Sequence, residues 1–243
     1  KGANWFVDGA AGIAAKFGIP QLVIGLTIVA MGTSLPEMAV SVTASIANNN
    51  ALAVSNAIGS NIFNLMVVIG FCAVMTPVAV QKETLKRDFP FSVLCAVLLL
   101  GLGYFGGMSL GHVDGLIMLV LFAGFIFVMI KTALSAKNSG SAEVEELEIL
   151  SMPKSILCII GGAAAIAVGG DLVVDTASRI ATDFGMSQTL VGLTIVSIGT
   201  SLPELFTSVS AARKGKADIA IGNIVGSNIF NILFVVGTSA LII

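Results

Sequence analysis

Two acidic residues interrupt otherwise apolar sequence. Glu37 and Glu204 each lie inside a long apolar run, and each closes the hexapeptide GTSLPE. A carboxylate at bilayer depth costs at least ~2.5–3.5 kcal/mol on insertion scales, so it has a partner or a function. Neither run carries a Lys or Arg near its glutamate, which argues against a buried salt bridge. The residues just before each glutamate supply more oxygen. Pro36 and Pro203 lack an N–H, which frees carbonyls near Ala30–Thr33 and Ser197–Thr200, and Gly32 and Gly199 ease the unwinding. Thr33, Ser34, Thr200 and Ser201 add hydroxyls. Carbonyls, hydroxyls and a carboxylate at one helix break make an all-oxygen cage. Such a cage suits hard cations, with Ca²⁺ taking about six to eight oxygens at roughly 2.3–2.6 Å. The plainer reading of the prolines is an ordinary kink, but the whole motif occurs twice.

A second block, NxxGSNxFN, follows each glutamate and offers Ser60, Asn61 and Asn64, then Ser227, Asn228 and Asn231. Ser60 and Asn64 are one helical turn apart and share a face, as do Ser227 and Asn231. Those four are expected to supply neutral oxygens to the same centre. Asn61 and Asn228 fall one position off that face and are not expected there. The small pairs Gly59-Ser60 and Gly226-Ser227 also read as sites of close helix approach.

The two blocks belong to a duplicated unit. GLTIVAMGTSLPEM begins at Gly25 and GLTIVSIGTSLPEL at Gly192, an offset of 192 − 25 = 167, and the second blocks repeat it as 223 − 56 = 167. Asp8, Phe17, Gly18 and Gln21 match Asp175, Phe184, Gly185 and Gln188 in the same register. Residues 2–17 read as the end of a helix, with apolar spans at 20–47, 51–78, 89–110, 113–132, 155–182, 187–212 and 218–243. By that register about seven and a half spans of an expected ten are present, five per repeat. The first repeat occupies 1–132, a polar acidic loop 133–154, and the second repeat 155–243. The chain crosses five times between Glu37 and Glu204, so the repeats run in opposite directions and meet at the midplane. Ten Lys and Arg fall on one side of this topology and two on the other, which predicts that the 133–154 loop is cytoplasmic. The expected fold is all-α, a polytopic membrane protein of inverted-topology repeats.

Composition excludes the alternatives. The chain has 243 residues, 56% hydrophobic and 11% charged, too little charge to cover a soluble fold. A net charge of −2 offers no basic surface for nucleic acid. Period-2 alternation of a barrel is absent. Cys72, Cys95 and Cys158 sit in apolar runs and suggest no disulfide framework. No His or Cys accompanies the carboxylates, which argues against an intramembrane enzyme.

The paired GTSLPE and GSNIFN blocks resemble the α-repeats of the cation/calcium exchanger superfamily, and within it the Na⁺/Ca²⁺ exchangers. The resemblance implies electrogenic antiport by alternating access, three Na⁺ against one Ca²⁺. It implies that Glu37 and Glu204 are the central ligands, joined by Thr33, Ser34, Thr200, Ser201, Ser60, Asn64 and Ser227, with backbone carbonyls from Ala30 and Ser197. K⁺-dependent relatives have Asp where this chain has Asn231, so the chain resembles the K⁺-independent type.

The partners expected are a lipid bilayer, Na⁺ and Ca²⁺ as cargo, and protons as competitors for the carboxylates; no cofactor and no nucleic acid are expected. A Ca²⁺/H⁺ exchanger on the same fold and a passive cation channel are the alternatives. A channel needs a continuous pore, usually from a symmetric oligomer, whereas this chain builds its symmetry internally. Glu143, Glu145, Glu146 and Glu148 read as a solvated linker, with regulatory Ca²⁺ binding as the sharper reading. Asp8 and Asp175 are candidates to line an ion access path. Arg213-Lys214-Gly215-Lys216 reads as a topology signal, and His112 as incidental.

Overall fold

In hydrocarbon an apolar segment must satisfy its own backbone, and a helix does so locally. The computed structural model describes residues 1–107, 109–139, 150–186, 194–195 and 197–242, and every regular element among them is helical. In chain order these are α1 (Gly2–Phe17), α2 (Gln21–Thr33), α3 (Leu35–Ile46), α4 (Ala51–Met75), α5 (Thr84–Phe105), α6 (His112–Ser139), α7 (Met152–Asp183), α8 (Ser197–Thr200), α9 (Leu202–Arg213) and α10 (Ala217–Ile242). Among the described residues α4, α5, α6, α7 and α10 are long and apolar enough to span a membrane, and the bent pair α2–α3 makes a sixth.

Local sequence explains the breaks. Gly18 closes α1 at φ 63°, a left-handed turn open to glycine, and its N–H returns to the carbonyls of Ala14 and Ala15. The first long span bends by 48° between α2 and α3, with Ser34 at φ −88°, ψ 11° as the hinge. Pro36 falls in the first turn of α3, where a missing N–H costs no helical bond. The second repeat does the same: Ser201 sits at φ −90°, ψ 1° and Pro203 in the first turn of α9.

Two features depart from the sequence expectation. α6 runs on to Ser139, so the first residues of the polar 133–154 stretch continue the helix, and Met152 already begins α7. The acidic residues 143–148 and the start of the 187–212 span lie outside the described residues. Wide π-helical turns also occur at Gly25–Val29 in α2, Asn64–Val68 in α4 and Asn231–Val236 in α10. Two of them begin at repeat-matched asparagines.

α10 forms the centre of the molecule. A Cβ added to Gly226 would stand 2.5 Å from the Leu26 carbonyl oxygen and 2.7 Å from the Ala30 Cβ, so glycine lets α10 lie directly on α2. The expected close approach thus holds for Gly226. Leu193, the register partner of Leu26, lies outside the described residues, and among those described nothing comes within 4 Å of a Cβ on Gly59. On its other side α10 meets α6 through an aromatic cluster. The rings of Phe230 and Phe234 stack at 4.9 Å, and Phe122 stands 5.1 Å from Phe234. α1 packs along α7 and against α9.

Candidate ion-binding site

The breaks in the two long spans bring both glutamates to one buried centre. Glu37 lies in the first turn of α3 and Glu204 in the first turn of α9, and neither is accessible to solvent. A serine from each repeat reaches the glutamate of the other, Ser34 to Glu204 and Ser201 to Glu37. Among the described residues no cation side chain pairs with either glutamate; hydroxyls hold them instead.

The hydroxyl pattern is two-fold. Oε1 of Glu37 accepts from Ser60 Oγ at 3.2 Å and from Ser201 Oγ at 3.2 Å. Oε1 of Glu204 accepts from Ser227 Oγ at 3.3 Å and from Ser34 Oγ at 2.6 Å. Each carboxylate therefore takes one serine from its own repeat and one from the other. Ser201 Oγ also lies 3.0 Å from Ser60 Oγ, and Ser227 Oγ 3.4 Å from the Ala30 carbonyl. All four serines are fully buried.

What these bonds leave over matters most. Oε2 of Glu37, Oε2 of Glu204, Oδ1 of Asn64 and Oδ1 of Asn231 are buried and have no hydrogen-bond partner among the described residues. They form two repeat-matched pairs, since 37 + 167 = 204 and 64 + 167 = 231. A buried acceptor left unpaired costs about 1–3 kcal/mol, more when charged. Four such oxygens are what a desolvated cation would satisfy.

The remaining expected residues take varied positions. Thr33 is buried, its hydroxyl 3.2 Å from the Ala30 carbonyl and 3.0 Å from Asn223 Oδ1. The Ala30 carbonyl is not left bare by Pro36 as expected: it also accepts the Ser34 N–H at 3.1 Å, because the helix break falls after Thr33 rather than before it. Thr200 is buried at the end of α8. Ser197 starts α8, and its side chain lies outside the described residues.

Sequence reasoning passed over four asparagines that hold this centre. Asn56 Nδ2 donates to the Glu37 backbone carbonyl at 3.1 Å and to Ser41 Oγ at 3.0 Å. Asn223 Nδ2 repeats this with the Glu204 carbonyl at 3.4 Å and Ser208 Oγ at 2.9 Å. Asn61 and Asn228, set aside as off the face, bond across the repeats to Asn231 and Asn64. The available signal was their duplication at one offset. Asp8, read as lining an ion access path, is engaged: Lys214 Nζ lies 2.6 Å and Lys216 Nζ 3.3 Å from its carboxylate.

Comparison with known proteins fits this geometry. The family model described as sodium/calcium exchanger protein matches residues 1–131 and 154–243. The chain belongs to the sodium/calcium exchanger family. It is 43% identical over 244 residues to the putative antiporter CaxA of Alkalimonas amylolytica, covering 99% of this chain and 76% of that protein. It is 32% identical to the sodium/calcium exchanger MaX1 of Methanosarcina acetivorans, covering 99% and 79%. A solved structure of the sodium-calcium exchanger NCX_Mj, soaked with Na⁺ and Ca²⁺, superposes with a TM-score of 0.83 at 32% identity, covering 100% of this chain and 77% of that one. The exchanger is thus an all-α, multi-pass integral membrane protein built from inverted repeats. It is a transporter and not an enzyme.

Proposed function

We propose that this exchanger moves Na⁺ in one direction and Ca²⁺ in the other by alternating access. Both ions use one mid-membrane cage. Its ligands are Glu37, Glu204, Thr33, Ser34, Thr200, Ser201, Ser60, Asn64, Ser227 and Asn231, with the backbone carbonyls of Ala30 and Ser197. The first repeat, residues 1–132, and the second, 155–243, contribute equal shares, and the 133–154 loop between them is cytoplasmic. The observation that carries this reading is the set of four partnerless buried oxygens in repeat-matched pairs.

Charge counting supplies the mechanism. Two ionised glutamates balance one Ca²⁺. Three Na⁺ exceed the pair by one positive charge, so the Na⁺-loaded form senses voltage at about 2.3 kcal/mol per charge per 100 mV. Competition for shared oxygens keeps the ions mutually exclusive, which antiport requires. An empty cage with unpaired carboxylates resists crossing. Protons compete for the same carboxylates. Asn231 carries an amide where an added acid would accommodate a further cation, which favours K⁺-independent exchange.

The test is ⁴⁵Ca²⁺ uptake into proteoliposomes driven by an outward Na⁺ gradient, with and without K⁺. Glu37→Gln and Glu204→Gln are each expected to lose at least about 100-fold, the scale of removing one member of a buried charge set. Exchange surviving in both variants rejects the cage. Uptake driven by a pH gradient but not by Na⁺ selects the proton-coupled alternative.

A further inference from the structure

Hydrogen-bond polarity runs into the cage from two residues that do not line it. A backbone carbonyl can only accept. Asn61 Nδ2 donates to the carbonyl of Asn228 at 3.1 Å, which turns the Asn61 amide so that its Oδ1 faces away from that carbonyl. This oxygen accepts from Asn231 Nδ2 at 3.1 Å, and Ser60 Oγ lies 3.2 Å from the same nitrogen. Both partners of Asn231 thus engage its nitrogen, and its Oδ1 is left buried and unpaired. The other repeat shows part of the same pattern: among the described residues, Asn228 Oδ1 accepts from Asn64 Nδ2 at 3.3 Å, and Asn64 Oδ1 is left unpaired. Asn61 and Asn228 are both buried, so water does not compete for these bonds.

We propose that Asn61 is a positioning residue that decides which atom Asn231 presents to a cation, oxygen rather than N–H₂. The proposal rests on the cage reading above. An amide's two ends have nearly the same shape, so only hydrogen-bond polarity distinguishes them. Without the Asn61 oxygen, the Ser60 hydroxyl can donate to Asn231 Oδ1, and the amide turns its nitrogen toward the ion. A residue of the first repeat therefore orients a ligand of the second. Asn61 acts through Asn231 and does not itself touch the ion.

The test is a double-mutant cycle on the full chain purified in detergent, with CaCl₂ and then NaCl titrated alone by calorimetry. Asn61→Leu, which keeps the branched four-atom shape of the side chain, is expected to weaken Ca²⁺ binding about tenfold, the lower end of what outer-shell partners of metal ligands contribute. Asn231→Ala is expected to lose a similar factor, and the double variant no more than Asn231→Ala alone. Losses that multiply in the double variant, or an unchanged Kd in Asn61→Leu, overturn the proposal. Glu204→Gln separates the two readings. If it binds Ca²⁺ like wild type, the cage itself fails; if it does not bind while the asparagine losses multiply, only the positioning role fails. Should Asn61→Leu not fold, the cycle of Asn228→Ala with Asn64→Ala asks the same question from the other repeat.

Discussion

α4 and α10 are copies of one helix placed in different surroundings. Both carry the NxxGSNIFN-type block at the same register, yet 22% of the most apolar window of α4 is buried against 94% of that of α10. The buried positions of α4 are Ala53, Asn56, Ala57, Ser60, Asn61, Asn64, Val68 and Cys72, a single stripe at helical spacing. Ile58, Ile62, Leu65, Met66 and Phe71 point outward. On α10 nearly the whole circumference is covered, because α5 and α6 pack on the side away from the ion centre. The duplication therefore keeps one face buried in both copies, the one that carries the serines and asparagines of the buried centre. The other face is free to meet either protein or lipid, since lipid tails are as apolar as the side chains that face them.

Identical residues at matched positions make this contrast testable. Ile229 on α10 is fully buried, whereas its counterpart Ile62 on α4 is 54% exposed. Ile229→Ala is expected to cost about 2–5 kcal/mol through the lost transfer and the cavity left behind. Ile62→Ala is expected to stay within about 0.5 kcal/mol. Unfolding in mixed micelles measures both, and equal losses would break the comparison. A smaller difference is expected inside the cage. Ser34 is the shorter cross-repeat donor, at 2.6 Å to Glu204 against 3.2 Å from Ser201 to Glu37. A hydrogen bond to a charged group contributes about 1.5–3 kcal/mol. Ser34→Ala is therefore expected to raise the half-saturating Ca²⁺ concentration roughly tenfold, and Ser201→Ala several-fold less; equal shifts would show the two halves to be energetically identical. The smallest effect is expected at Asp8. Asp8→Asn removes the partner of Lys214 and Lys216 and is expected to cost up to about 1 kcal/mol, as partly exposed pairs do. Its register partner Asp175 is exposed, and Asp175→Asn is expected to change unfolding by less than that.

Much of this was legible in the sequence because duplication writes the same constraint twice. The GTSLPE breaks, the two glutamates and their flanking serines were found from residue type and offset alone. Three things were not. The π turns at Asn64 and Asn231 are shifts of backbone bonding that no single side chain announces. The continuation of α6 to Ser139 follows polar residues that an apolar count reads as loop. The asparagines at 61 and 228 sit one step off the face shared by Ser60 and Asn64, and helical spacing alone gave no reason to place them at the centre. It could not reveal that their partners stand on the opposite repeat.

The crossed serines have a consequence for ancestry. Neither half of this chain completes the hydrogen bonding of its own glutamate, because each acid is steadied by a hydroxyl borrowed from the other. A lone copy of the ancestral unit could complete that bonding only by pairing with a second copy. Joining the two in one polypeptide fixes that partnership at one to one and leaves each copy free to diverge everywhere except along the seam.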